Sequence, residues 1–333
     1  MLKIIGSENM DEYNLNKIWR ELSVEMSIDS GGRVLRGISD SGIYAAWNIR
    51  NQSKEILIGL DDSLPKSIIP NWNGMEITVR DDIRTANSNL HLVLELLDDE
   101  LQEVFVVFCL DALHSIKKCS EKERKEKLMN FIERWDRFFQ RSGNKPLSPE
   151  RQRGLFAELW WLRKLLKNKM DAVKALTSWK GSERAFHDFE HEGIVVEIKS
   201  TIRKEPRKVM ISNERQLDNH GISSLHLFVL TLNIQEKGES LPDIISDIRK
   251  NINKSSASLH LLLRKLTLAR YLDCDAEKYD SKYQPRLEEL FEVRDGFPRI
   301  ITLPNGTGDL KYSIQISSCE DYKCEIKDYL EGL

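Results

Sequence analysis

The 333-residue chain has no apolar run that could span a bilayer: its longest, such as Val104–Leu110, fall far short of the roughly 20 residues a membrane helix needs. Its first residues, Met1-Leu2-Lys3-Ile4-Ile5-Gly6-Ser7-Glu8, lack the extended apolar stretch of a secretory signal. Cysteines are few: five (109, 119, 274, 319 and 324), odd in number, scattered, with no Cys-x-x-Cys pair. That argues against a disulfide framework or structural zinc and for a reducing, cytoplasmic setting. Charge of one sign is lacking as well, since 50 Lys and Arg meet 53 Asp and Glu for a net charge of −3. Any contact with nucleic acid must therefore come from local basic patches. There is no Gly-x-x-x-x-Gly-Lys-[Ser/Thr] string, so an ATP-driven step would need another chain. Internal repeats and low-complexity segments are also missing.

With 40% hydrophobic and 31% charged residues, the composition is that of an ordinary globular protein. The length suffices for two domains, each with its own core. The breaker cluster Arg141-Ser-Gly-Asn-Lys-Pro146 marks the expected boundary, giving domains 1–140 and 141–333. The first reads as mixed and β-rich, with strands at Tyr44–Arg50, Glu55–Leu60, Glu76–Arg80 and Leu90–Leu97. Its aromatics Trp47 and Trp72 read as core or interface. The segment from Asp98 to Ser115 favours a helix by its acidic first turn and a strand by its β-branched run; the helix is the preferred reading. Ser120–Gln140 is a helix by the spacing of Leu128, Phe131, Ile132, Trp135 and Phe139, and closes this domain.

In the second domain, Ser148-Pro149 opens a helix that runs to about Lys169, with Ser as N-cap and Pro at the first position. Glu158 falls inside its apolar arc, where a carboxylate is costly unless it snorkels, pairs with an Arg or serves a site. Ser224–Ile234 is the best buried strand in the chain, a central partner for what precedes it. Helices are expected at Pro242–Asn251, Ser256–Leu272 and Glu320–Leu330, and strands at Val209–Ile211, Glu289–Val293 and Leu310–Ile316.

The stretch Arg184–Thr201 carries the chemistry. Ile194, Val196 and Ile198 alternate with Val195, Glu197 and Lys199, the period of a strand. Glu192-Gly193 is a two-residue turn, which sets residue 191 against 194, 189 against 196 and 188 against 197. Asp188 and Glu197 then face each other with Cβ atoms roughly 4.5–5.5 Å apart. Two facing carboxylates repel, and a divalent cation between them would turn repulsion into purpose. Lys199 projects from the same face. An exposed hairpin face also tolerates mixed charge, but the apolar alternation, the tight turn and the facing Asp favour a functional site. The basic segment Ile202–Lys208 that follows, with Arg203, Lys204, Arg207 and Lys208 against Glu205, is either a phosphate-holding loop or a plain turn. Arg264, Lys265 and Arg270 are a second such set, or a solvated face.

Asp188, Glu197-Ile198-Lys199 and Ser200-Thr201 resemble the core motif of the PD-(D/E)XK nuclease superfamily. Residues from about 150 to 235 resemble an uncharacterised bacterial family of such proteins that accompanies restriction-modification and phage-defence genes. His187 stands where the motif has its proline. The resemblance implies an α/β (α+β) protein whose C-terminal domain is restriction-endonuclease-like, with a central mixed sheet flanked by helices. It implies metal-dependent hydrolysis of phosphodiester bonds, with DNA as partner. Asp188, Glu197 and the backbone carbonyl of Ile198 would bind Mg²⁺, with Mn²⁺ as a substitute, and Lys199 would orient the attacking water. Glu158 matches a helical Glu of the superfamily that contributes to the metal site, and Gln216 a Gln that many members carry after the strand Val209–Ile211. Two alternatives stay open: a non-catalytic DNA-binding or assembly subunit of a defence complex, working with a separate ATPase, and an RNA-cleaving effector.

Overall fold

The computed structural model describes residues 12–25, 32–39, 42–116, 119, 121–142, 146–183, 185–252, 256–306, 308 and 310–333. Expectations resting on Met1–Glu8, Ser120, residues 143–145 and Arg184 lie outside these residues. The chain separates into two compact units, Met1–Lys145 and Pro146–Leu333. Among the described residues no helix is long and apolar enough to cross a membrane, and Cys109, Cys119, Cys319 and Cys324 are free thiols.

The first unit is a five-stranded antiparallel sheet in the order β1-β2-β3-β5-β4. Its strands are β1 (Arg33–Ser39), β2 (Ile43–Asn48), β3 (Ser53–Leu60), β4 (Met75–Arg80) and β5 (Leu90–Leu96), with helices α1 (Glu12–Leu22), α2 (Gln102–Ile116) and α3 (Glu121–Ser142). The ambiguous Val104–Phe108 run is helical. Asp98 caps the 3-10 turn that leads into α2, accepting from the Glu100 N–H, and residues 104–112 of α2 are all buried. A helix buried on every side can afford β-branched residues, because packing outweighs their weak propensity. Trp72 packs on Phe108 and Phe139 and donates to Asp136 at 3.0 Å, as a core residue does.

The second unit holds a mixed sheet in the order β12-β10-β9-β7-β6. Its strands are β6 (Phe189–His191), β7 (Ile194–Thr201), β9 (Ser224–Glu239), β10 (Tyr283–Glu292) and β12 (Lys323–Cys324). Strands β7 and β9 run parallel and the other pairs antiparallel. Strand β9 is central because it is apolar on both faces. Phe228, Leu230 and Leu232 join a core with residues of helices α4 (Pro149–Lys167), α5 (Ala172–Ser178), α6 (Leu241–Ile252) and α7 (Ser256–Leu268). Leu225, Leu227 and Val229 face a second core with Val209, Ile211 and Ile314, from the two-stranded sheet of β8 (Lys208–Ile211) and β11 (Tyr312–Gln315).

Three expectations fail here. The C-terminal helix is confined to α8 (Ile326–Glu331). Ile316–Tyr322 is a 3-10 turn, and Lys323-Cys324 pairs with Phe291 and Leu290 at the sheet edge, where ladder bonds outcompete a solvated helical turn. Helix α7 stops at Leu268, with Arg270 beyond it in the left-handed region at φ 67°. Lys265 is neither solvated nor phosphate-facing. It is 1% exposed, donates to the Trp179 carbonyl and lies 3.1 Å from Glu183.

Candidate metal-dependent hydrolytic site

The hairpin has the anticipated register, with His191 opposite Ile194 and Phe189 opposite Val196. Glu192 and Gly193 both take positive φ (50° and 81°), the signature of a type I′ turn that favours Gly at its second position. Strand β6 is only three residues long, and this makes the site. At Asp188 the chain leaves the ladder, and its carbonyl accepts the N–H groups of Lys180 (2.7 Å) and Gly181 (2.9 Å). By antiparallel alternation, the N–H of Ile198 would have gone to residue 187 of a longer strand. The Asp188 side chain takes it instead, Oδ2 accepting at 2.8 Å. The free edge of β7 from Glu197 onward then opens into a cleft of about 610 Å³.

All six sequence-derived residues, Glu158, Asp188, Glu197, Ile198, Lys199 and Gln216, line this cleft. Glu197 is fully buried. Its Oε1 accepts from Lys199 Nζ at 2.7 Å, whereas its Oε2 is buried without a hydrogen-bond partner. Lys199 also donates to Gln216 Oε1 at 3.1 Å. Gln216 is set by the 3-10 turn Glu214–Leu217, and its Oε1 accepts the Ser212 N–H as well. The backbone of Ile198 serves Asp188 while its side chain sits in the helical core.

Glu158 reaches the cleft from α4, which Ser148 caps. Its Oε2 accepts the Trp179 indole N–H at 2.6 Å. Sequence reasoning missed Trp179, a buried aromatic indistinguishable from any other core Trp until its N–H finds a partner. Trp179 is in turn clamped at its carbonyl by Lys265. Gly181 was missed too. A Cβ there would meet Asp188 Oδ1 at 2.6 Å and Glu158 Oε2 at 2.7 Å, so the two carboxylates converge on the space its missing side chain leaves.

Three carboxylates around one ammonium are under-compensated. Burial, then the Asp188 charge, pushes Glu197 up to about 8, against the pull of Lys199. Glu158 rises for the same two reasons, opposed by the Trp179 N–H. Burial also raises Asp188, although Lys199 and the Ile198 N–H oppose it. Burial works against the Lys199 ammonium, but Glu197, Asp188 and Glu158 together lift its pKa above the usual lysine value. These are oxygen donors short of positive charge, with one oxygen wholly unpartnered, and they fit a hard divalent cation such as Mg²⁺. Among the described residues no group of three His, Cys, Asp or Glu forms a ready-made cage. Few protein ligands, completed by water and phosphate, is the Mg²⁺ habit.

The basic segment splits in two. Arg207 is taken up by Glu289, a buried acid on β10 that needs a cation, and by Glu205. Arg203 and Lys208 line the cleft.

Residues 15–317 match the profile of a family described as "Putative PD-(D/E)XK family member, (DUF4420)". No curated protein and no solved structure matches the chain.

Proposed function

We propose, for a chain that belongs to the DUF4420 family of PD-(D/E)XK proteins, a metal-dependent nuclease that hydrolyses phosphodiester bonds in DNA. The observation that carries this reading is Glu197: a fully buried carboxylate with one unpartnered oxygen, beside two further acids, in a cleft wide enough for a phosphate. Asp188 and Glu197 would hold the divalent ion, with Glu158 and the Ile198 carbonyl in support. When bound, that ion polarises the phosphate and acidifies water.

The chain's own residues account for the rest. An ammonium has three donors. Lys199 spends two on Glu197 and Gln216, which leaves one N–H for the attacking water or a non-bridging phosphate oxygen. Its position is fixed from two sides, so it stabilises charge that grows on phosphate oxygens as water attacks and the ester oxygen leaves, without reorganising. Gln216 orients Lys199 and keeps it from collapsing fully onto Glu197. Arg153, Arg203 and Lys208 along the cleft would hold neighbouring phosphates. The family resemblance supports a setting in bacterial restriction or phage defence.

The test is incubation of the purified protein with plasmid DNA and with RNA, with and without Mg²⁺ or Mn²⁺. Nicking of DNA that requires metal is the expected result. Cleavage of RNA alone would reassign the substrate. DNA binding without cleavage under any metal would make the chain a binding subunit.

A further inference from the structure

The cleft contains more than its acids require. Three of its lining residues, Arg153, Arg203 and Lys208, are cations with no carboxylate partner among the described residues. Two others are large and apolar yet face solvent: Ile202 is 42% exposed and Met210 56%. Their exposure follows from the backbone. Strand β8 turns Val209 and Ile211 into the core, so Met210 takes the outward position between them. Ile202 directly follows β7, beyond the buried Thr201. One exposed apolar side chain is ordinary on any protein surface. Two on one cleft, lined also by three uncommitted cations and by Glu197, suit a ligand that is both polyanionic and apolar. Nucleic acid is such a ligand, since its phosphates alternate with stacked bases, and Ile and Met are among the side chains that enter base steps.

The geometry points to Ile202 and Met210 as a wedge that enters the base stack beside the phosphate held over Glu197 and Lys199. This rests on the nuclease reading and refines its substrate: a strand unstacked, or easily unstacked, at the point of cleavage. The cations hold the backbone on either side, and the wedge turns the scissile phosphate into the cleft. Pyrimidine–purine steps, mismatches and gaps, which unstack at low cost, are the preferred places.

The experiment uses the full chain and a duplex carrying 2-aminopurine, whose fluorescence rises when it unstacks, bound without metal so that nothing is cut. The parent should raise the fluorescence several-fold. The double variant Ile202→Ser/Met210→Ser removes only surface side chains, so it should fold and bind with similar affinity through the intact cations. Its fluorescence should stay at the level of free duplex. With Mg²⁺ it should cut fully paired duplex roughly tenfold or more slowly, the rate equivalent of a lost unstacking contact. A duplex with an abasic gap at that step should recover most of that loss. A parent that binds duplex without a fluorescence rise overturns the wedge, as does a double variant that raises it equally. A parent that binds no DNA overturns it too and turns the apolar pair toward a protein partner. A fluorescence rise without cleavage would leave the wedge standing and remove the nuclease reading alone.

Discussion

Two sheets in this molecule bury glutamates, and Glu55 of one and Glu197 of the other are treated in opposite ways. In the first unit Glu55, on β3, is fully buried and lies opposite Glu95 of β5. Its two oxygens take Arg33 Nε at 2.6 Å, Arg33 Nη2 at 2.9 Å and Asn48 Nδ2 at 2.9 Å. Glu95 is served by Ser53 and Asn51. Both oxygens of Glu55 are bonded, and Glu95 leaves no fully buried oxygen without a partner. In the second unit Glu197 is as deeply buried, yet half of it has nothing to bond. A satisfied buried acid is a structural element. One left half-satisfied among other acids is a candidate for holding a ligand.

The contrast breaks first at Arg33. Arg33→Ala leaves Glu55 without its fork of donors in the interior and should cost roughly 3–5 kcal/mol of stability, measured by denaturant unfolding. Lys199→Ala should do the reverse. It opens no apolar cavity and leaves the fold in place, while DNA cleavage drops by roughly 10²–10³ or more. Single-turnover cleavage alongside an unfolding curve separates the two. A Lys199→Ala protein that cuts like the parent would return the chain to a binding role.

A pH titration sharpens the comparison. Glu197 titrates near 8 in the folded chain against an ordinary value of 4.5, so the folded state keeps a proton that the unfolded state has released. The corresponding stability is fully present below about 4.5 and is lost as pH rises through about 8. Glu158 and Asp188 act in the same direction. Lys199, raised above the usual lysine range, contributes stability that is lost only at higher pH. The metal-free parent should therefore lose stability between pH 6 and 8.5, by a few kcal/mol at most, seen as a falling melting temperature. Glu197→Gln should flatten that slope, and an equal slope in both proteins would mean that Glu197 keeps no proton. The smallest effect belongs to Trp179→Phe, which keeps a smaller aromatic ring in place and removes the N–H that holds Glu158. A roughly tenfold loss of metal affinity is expected, read by calorimetry.

Much of this is legible in the sequence. Apolar alternation located β7, a near-continuous apolar run located β9, helical spacing located α3 and α4, and the Glu192-Gly193 turn set Phe189 against Val196. What stayed hidden depends on partners distant in sequence. Lys265 looks like surface until Trp179 and Glu183, more than eighty residues earlier, meet it. Arg207 reads as a phosphate ligand until Glu289 claims it. The departure of Asp188 from its strand is equally invisible, because Lys180 and Gly181 supply the N–H groups that draw its carbonyl away. Helix α1 and strand β1 lie in a segment whose strands dominated the pattern.

The most direct measurement compares the thermal shift caused by Mg²⁺ or Mn²⁺ in the parent, Glu55→Gln and Glu197→Gln, each against its own metal-free baseline. A ligand at a hundred times its Kd stabilises by about 2.7 kcal/mol, well within detection. The parent and Glu55→Gln should shift alike, and Glu197→Gln should not shift. An equal shift in Glu197→Gln would contradict the account, because the unpartnered oxygen at the cleft would then have no part in holding the ion.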